Sequence, residues 1–145
     1  MPYLIHQSID LTYDLLLSKG VNIQENIIET ANIKMSGKIA GQTPGSGAYL
    51  VKNSTAHLRV YWHKMKDHPY IAYEKVDFTV PEDQIAGLYE AFVEDFGPKR
   101  IRYSAKKRPG QKIAFVFRRT GNAKITITCD KKPVRIIGFK VDQYD

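Results

Sequence analysis

The basic residues in the last third of the chain are the side chains best suited to binding a partner. Residues 98–145 carry 14 Lys and Arg against three Asp, a net charge of +11, whereas residues 1–97 carry 8 Lys and Arg against 12 Asp and Glu, a net charge of −4. Lysines and arginines spaced along a surface bind phosphates, and a polyanionic partner relieves the self-repulsion of so basic a segment. Alternatively, the acidic part of the chain packs beside the basic part and neutralises it.

The basic residues alternate with apolar ones, which places them on one face of the predicted strands. We predict that this face holds nucleic-acid phosphates through Arg100, Arg102, Lys106, Lys107, Arg108, Lys112, Arg118, Arg119 and Lys124. Bases of a single strand also stack on exposed rings, for which Tyr61 and Tyr73 are the leading candidates. Further candidates are Tyr49, Tyr70 and Tyr144.

The absence of a predicted helix with a basic face argues against a duplex site read through the major groove. The basic strands therefore favour single-stranded DNA or RNA. On this interpretation the chain is a non-enzymatic, nucleic-acid-binding accessory protein, in replication or in a mobile element.

Histidines and carboxylates near the middle of the chain are the candidate catalytic residues. His63, Asp67 and His68 can converge across a turn, and Glu74 follows on the next predicted strand, so a hydrolase is a second alternative. The chain has no HExxH motif and no paired Cys-x-x-Cys, and the glycine-rich segment 41–47 lacks the Lys-Ser/Thr of a phosphate-binding loop. We therefore expect no enzyme activity, no metal and no cofactor.

A protein-interaction surface is the main alternative to nucleic-acid binding. The helix predicted over residues 80–96 has a wholly acidic outer face, formed by Glu82, Asp83, Glu90, Glu94 and Asp95. That face, or the basic face, could dock another protein or a second copy of the chain. The alternative function is a protein-interaction or inhibitor module of phage or mobile-element origin.

Length and composition predict a globular domain in a reducing compartment. The 145 residues are 43% hydrophobic and 26% charged, and nine Tyr, six Phe and one Trp exclude intrinsic disorder. The apolar runs are too short for a membrane span, and no secretory leader opens the chain. The lone Cys129 cannot form an internal disulfide. We therefore expect a cytoplasmic protein with no membrane partner.

Periodicity predicts a single α+β domain, an antiparallel twisted sheet with one long amphipathic helix packed on it. The predicted order is a helical N-terminal segment over 1–34, strands over 35–80, a helix over 80–97 and a basic β-meander over 98–145. Seven strands are predicted within these regions, over 48–52, 55–64, 70–80, 100–106, 112–119, 123–129 and 134–141. The long helix rests on a capping box at Thr79–Glu82 and an apolar stripe from Ile85 to Phe96.

Residues 15–51 resemble the N-terminal module of plasmid- and phage-type DNA primases. The likeness lies in the helical Leu15–Gly20, in the Ser36-Gly37-Lys38 turn, and in a glycine-rich turn that leads into Ala48–Val51. The catalytic acidic motifs and zinc-binding cysteines of that family are absent, so the resemblance implies an accessory replication or mobile-element protein. The order of strands, helix and meander is similar to the Whirly and Pur single-strand-binding folds.

Overall fold

The computed structural model of the chain describes residues 1–66, 68 and 70–141. Within them lie one α-helix, α1 (Ile9–Ser18), a 3₁₀ turn (Ile33–Met35) and nine strands. The strands are β1 (Asn22–Glu29), β2 (Ile39–Thr43), β3 (Thr55–Trp62), β4 (Ile71–Thr79), β5 (Gly87–Glu94), β6 (Arg100–Lys107), β7 (Lys112–Thr120), β8 (Ala123–Cys129) and β9 (Lys132–Phe139). No helix in the described part of the chain has the length and apolar character needed to cross a membrane.

The N-terminal sheet has the strand order β1-β3-β2, with β1 parallel and β2 antiparallel to β3. Ser8 caps the N-terminus of α1, and its hydroxyl accepts a hydrogen bond from the backbone N–H of Leu11. The buried face of the helix carries Ile9, Tyr13 and Leu16, which join the core of this sheet. Burial of that face stabilises a helix too short to be stable alone.

The remaining strands form two further sheets that enclose a second core. One is the antiparallel pair β4-β7, and the other is a four-stranded antiparallel sheet with the order β6-β5-β8-β9. β7 joins the two cores because successive side chains of a strand point to opposite faces. Phe115 and Phe117 lie in the second core, whereas Val116 lies in the core of the N-terminal sheet.

The prediction of an α+β fold with a long helix over 80–97 is wrong, since the fold is mainly β and this region contains β5. Ile85 and Phe96, the two ends of the predicted stripe, are 65% and 91% exposed. The fully buried side chains of β5 are instead spaced two residues apart, at Tyr89, Ala91 and Val93. β5 pairs with β6 on one side and β8 on the other, and this pairing overrides the local capping signal.

The helical N-terminal segment over 1–34 is also wrong beyond α1. Residues 22–29 form β1, which pairs with β3 from Asn22 opposite Thr55 to Glu29 opposite Trp62. The predicted strand over 48–52 is irregular, and β2 lies instead in the preceding glycine-rich stretch. β1 pairs with residues 33 positions away in sequence and β2 with residues 14 to 21 positions away, which local periodicity does not report.

The other six predicted strands coincide with β3, β4, β6, β7, β8 and β9 to within two residues at each end. The predicted meander is wrong in its pairing, because β7 pairs with β4 and lies in a different sheet from β6. Residues 142–145 of the predicted meander lie outside the described residues. The alternation of apolar residues therefore identified these strands, but their order along the chain did not identify which strands pair.

Candidate anion-binding cleft

Within the described residues, seven of the 14 basic residues after position 97 form ion pairs with carboxylates from the first 97 residues. The seven basic residues are Lys99, Arg100, Arg102, Lys112, Arg119, Lys124 and Lys131. Their partners are Asp10, Asp14, Glu74, Asp77, Glu90, Glu94 and Asp95, with N···O distances of at most 3.9 Å. The acidic part of the chain thus neutralises much of the basic part. Glu90, Glu94 and Asp95 of the predicted acidic face are among these partners.

Two arginines at the start of β6 are held by carboxylates from α1 and from the β5–β6 turn. Arg102 is 2% exposed, with Nε 3.2 Å from Asp10 Oδ1 and Nη1 3.1 Å from Asp14 Oδ1. Arg100 binds both oxygens of Asp95, at 2.9 and 3.1 Å. Burial acts to raise the pKa of Asp95, but hydrogen bonds from Arg100 and from two backbone amides hold that pKa below its usual value. Both guanidinium groups therefore form structural ion pairs.

Arg119, on β7, is fully buried. Its Nη2 lies 3.3 Å from Glu74 Oε1, and its Nη1 donates to the carbonyl of Gly121 at 2.8 Å. The prediction that Arg119 and Arg102 lie on an exposed basic face is wrong, because both side chains are buried and paired with carboxylates of the fold. Neither can reach a surface ligand in this fold.

Three consecutive basic residues at the other end of β6 have a different environment. In residues 1–66, 68 and 70–141, no carboxylate forms an ion pair with Lys106, Lys107 or Arg108. Lys106 and Arg108 are exposed, and Lys107 is half-buried. These positive charges are available to an anion from solution.

Two grooves share Leu88, Lys106 and Lys107 in their linings, and together we call them the basic cleft. The basic arm, about 570 Å³, is lined by Ala86, Gly87, Leu88, Lys106, Lys107, Arg108, Gln111 and Asp130. The amide arm, about 710 Å³, is lined by Asn22, Ile23, Gln24, Asn53, Thr55, Leu88, Ser104, Ala105, Lys106 and Lys107. Each arm lies in the volume range of about 300–1,000 Å³ typical of ligand pockets.

Strand pairing and one turn position the walls of the two arms. Asn22 and Thr55 are paired at the start of β1 and β3, and the end of β6 lies across the cleft from them. On the basic arm, the Asp130 carboxylate accepts a hydrogen bond from the Leu88 amide at 2.9 Å. A Cβ on Gly87 would lie 2.5 Å from that carboxylate, so glycine is what allows the β8–β9 turn to approach. This carboxylate therefore orders the cleft wall.

The other predicted phosphate contacts lie away from the cleft. Lys112 is 3.9 Å from Asp77, and Lys124 is 3.8 Å from Glu94. Arg118 is exposed and lies opposite Tyr73 in the β4-β7 pair. The nine predicted residues thus divide into the three of the cleft, three arginines committed to the fold, and these three scattered surface positions.

The predicted stacking rings do not line the cleft. Tyr73 packs so closely on Gly37 that a Cβ there would lie 2.2 Å from the ring, and burial raises the pKa of the Tyr73 hydroxyl. Tyr61 lies near the end of β3, about 20 Å along the strand from Thr55. Tyr49 and Tyr70 are exposed elsewhere, and Tyr144 lies outside the described residues.

The histidines proposed for a hydrolase serve local turns. The Nδ1 atoms of His63 and His68 accept hydrogen bonds from the backbone amides of Met65 and Tyr70, at 3.0 and 3.1 Å. Glu74 pairs with Lys66 as well as Arg119, and Asp67 lies outside the described residues. Among the residues described, no group of three or more His, Cys, Asp or Glu is arranged to hold a metal ion.

A buried carboxyl group links α1, β1 and β7. Glu25 is 6% exposed; it accepts hydrogen bonds from the Tyr13 hydroxyl at 2.6 Å and from the Val116 amide at 3.0 Å. Burial raises the pKa of Glu25 to about 8, although these two hydrogen bonds act to lower it. Its burial and its two hydrogen bonds indicate a structural group, with a pKa of about 8.

Sequence reasoning missed the neutral polar residues of the amide arm. Asn22, Gln24, Asn53, Thr55 and Ser104 are polar residues of strand ends and turns, with no motif spacing. Only the tertiary approach of β6 to the start of β1 and β3 brings them together. The sole signal in the sequence was the run of three basic residues at 106–108.

Comparisons with known proteins give no family for this chain. No protein-family model matches it, and no curated protein does. Among solved structures, the chain is similar to the entire extracellular region of the Ser/Thr kinase PrkC from Staphylococcus aureus, at 18% sequence identity and a TM-score of 0.39. The match covers 97% of this chain and 51% of that one, so this chain spans about half its length. A likeness of this degree carries no argument about function.

Proposed function

We propose that the protein is a non-catalytic binding protein that holds the phosphates of single-stranded nucleic acid in the basic cleft. The observation that supports this proposal is the position of Lys106, Lys107 and Arg108. They line the polar cleft and form no ion pair with a carboxylate of the described residues, whereas seven of the 14 basic residues after position 97 do. Such unpaired charges attract a polyanion and release its counterions on binding.

The shape of the cleft favours a single strand over a duplex. The cleft has two arms that share Lys106 and Lys107, so an extended ligand can lie across both arms with phosphates on the shared lysines. In the described part of the chain the one α-helix, α1, carries Asp10 and Asp14 and no basic residue, and it is therefore unsuited to the major groove.

Phosphate contact, rather than base stacking, is the mode of binding that the lining residues support. The described residues lining the cleft include no aromatic ring. Stacking on Tyr61 and Tyr73 is accordingly not part of the proposal. Binding should then depend steeply on salt, since it rests on charge.

The test compares two triple variants that lose the same charge. The first, Lys106→Gln/Lys107→Gln/Arg108→Gln, empties the cleft of positive charge. The matched control, Lys99→Gln/Lys112→Gln/Lys124→Gln, removes three exposed lysines that pair with Glu94 and Asp77. Fluorescence anisotropy with a labelled mixed-sequence DNA 12-mer, and its RNA counterpart, is measured over a range of salt concentrations.

We expect the wild type and the control to bind with similar salt dependence. The cleft variant should lower the slope of log affinity against log salt by about 2, at roughly 0.7 per phosphate contact with a single strand. Equal losses in both triple variants would show that general surface charge, and not the cleft, binds the strand. Absence of binding by the wild type to DNA and RNA at low salt would refute the function. A stoichiometric protein co-purifying with wild type in that case would favour the protein-interaction alternative.

A further inference from the structure

The two arms of the basic cleft offer different chemistry to a ligand. Away from Lys106 and Lys107, the amide arm presents the neutral polar side chains of Asn22, Gln24, Asn53, Thr55 and Ser104. The corresponding part of the basic arm has the guanidinium of Arg108. Beyond the two shared lysines, a ligand that fills both arms therefore meets charged groups in one arm, Arg108 and the Asp130 carboxylate that is bonded to the Leu88 amide, and uncharged hydrogen-bonding groups in the other.

The polar groups of the amide arm are largely uncommitted. Within the described chain, the side chains of Gln24, Thr55 and Ser104 make no hydrogen bond to protein, and Asn22 makes one long contact, 3.5 Å from its Nδ2 to the carbonyl of Asn53. Gln24 is exposed and Ser104 half-buried, so both can reach a ligand in the groove. Amides and hydroxyls each combine donors and acceptors.

A bare polyanion uses only the donors of this mixture. Polyphosphate at neutral pH presents oxygen acceptors almost exclusively, so it can accept hydrogen bonds from the Gln24 amide NH2 and the Ser104 hydroxyl but leaves their acceptor oxygens unmatched. A base edge, or a sugar hydroxyl, presents donors beside acceptors and can satisfy both. Glutamine and serine are side chains that contact base edges in this way.

We propose that the amide arm holds the base and sugar of the nucleotide whose phosphates lie on Lys106 and Lys107, so that Gln24 and Ser104 are specificity-determining residues of the cleft. This inference rests on the proposed function and deepens it. The lysines supply affinity for any polyanion, and the amide arm selects a nucleic-acid strand from among polyanions.

The experiment measures two ligands on the full chain. The DNA 12-mer is followed by anisotropy, and sodium polyphosphate is followed by its displacement of the 12-mer. The Gln24→Ala/Ser104→Ala variant should bind the 12-mer about tenfold more weakly, the effect of two lost hydrogen bonds, and bind polyphosphate within twofold of the wild type. The matched control is Asn26→Ala, which removes an exposed amide two residues along β1 that does not line the cleft. It should change neither affinity.

The outcomes separate this inference from the function it rests on. If the 12-mer binds through Lys106–Arg108 but the Gln24/Ser104 variant retains wild-type affinity, or loses both ligands equally, the role of the amide arm is refuted and the function stands. If thymidine monophosphate binds as tightly as the 12-mer, the ligand is a free nucleotide and not a strand, which overturns the proposed function and, with it, the selection of a strand by the amide arm. If no oligonucleotide binds to the wild type, the function itself fails.

Discussion

The two ends of β6 carry similar charges and have opposite roles. At the start of the strand, Arg100 and Arg102 lie against Asp95, Asp10 and Asp14, with Arg102 2% exposed. About 13 Å further along, Lys106 is exposed and has no carboxylate partner in the described residues. The first end joins α1 to the four-stranded sheet, and the second lines the cleft.

This difference shows that the presence of a nearby carboxylate, and not the positive charge itself, decides whether a basic residue stabilises the fold or is available to a ligand. Asp10 lies 92 residues from Arg102 in sequence, and only the packing of α1 brings the two together. A buried guanidinium needs such carboxylates to offset its desolvation. An exposed lysine has no such need, and it stays available for a ligand.

The largest expected effect is at the paired end of β6. Arg102→Ala should lower the free energy of unfolding by about 3 kcal/mol, because it leaves two carboxylates without their buried partner and removes a side chain that packs over the Tyr13 ring. Urea unfolding followed by circular dichroism measures the change.

Lys106→Ala is the control for that measurement and should change stability by less than about 0.5 kcal/mol. Arg102→Lys should recover part of the loss, since lysine keeps the charge but cannot form the same forked contact. Equal effects of Arg102→Ala and Lys106→Ala would contradict the division of β6 into a structural end and a binding end.

The second prediction concerns Glu25, which accepts a hydrogen bond from Tyr13, the residue whose ring lies under Arg102. In the unfolded chain Glu25 ionises near pH 4.5, whereas in the folded protein it stays protonated up to about pH 8. Between these values the unfolded state releases a proton and the folded state does not, so stability falls as pH rises, by at most about 1.4 kcal/mol per pH unit.

Glu25→Gln removes this titration while keeping an oxygen that can accept from Tyr13 or the Val116 amide. Urea unfolding at several pH values between about 5 and 8 should show wild-type stability declining relative to the variant as pH rises. A constant difference across that range would show that Glu25 does not titrate there in the folded protein.

The smallest expected effect is at the cleft. The Lys106/Lys107/Arg108→Gln variant should unfold within about 0.5 kcal/mol of the wild type, because these residues form no ion pair among the residues that the structure describes. The matched Lys99/Lys112/Lys124→Gln variant should lose about 1 kcal/mol, a few tenths for each exposed pair. The reverse ranking in thermal unfolding would mean that the cleft residues hold the fold together.

Local pattern was sufficient to find most strands. Residues 123–129 alternate Ile125 and Ile127 with polar neighbours, and the structure places β8 over the same seven residues. The long helix failed because Ile85, Leu88, Tyr89 and Phe92 satisfy a helical spacing while Tyr89, Ala91 and Val93 satisfy a strand spacing. Pairing with β6 and β8 decided between them, and pairing is not a local property.

The sequence by itself determined that this chain has many strands, that its positive charge lies after position 97, and that three basic residues adjoin at 106–108. Tertiary structure alone decided which charges are neutralised and which face a ligand. The physical reason is that the role of a charged side chain depends on which groups surround it and how far it is buried. Burial beside Asp10 turned Arg102 into a structural contact, and the approach of β1 and β3 turned the end of β6 into a cleft.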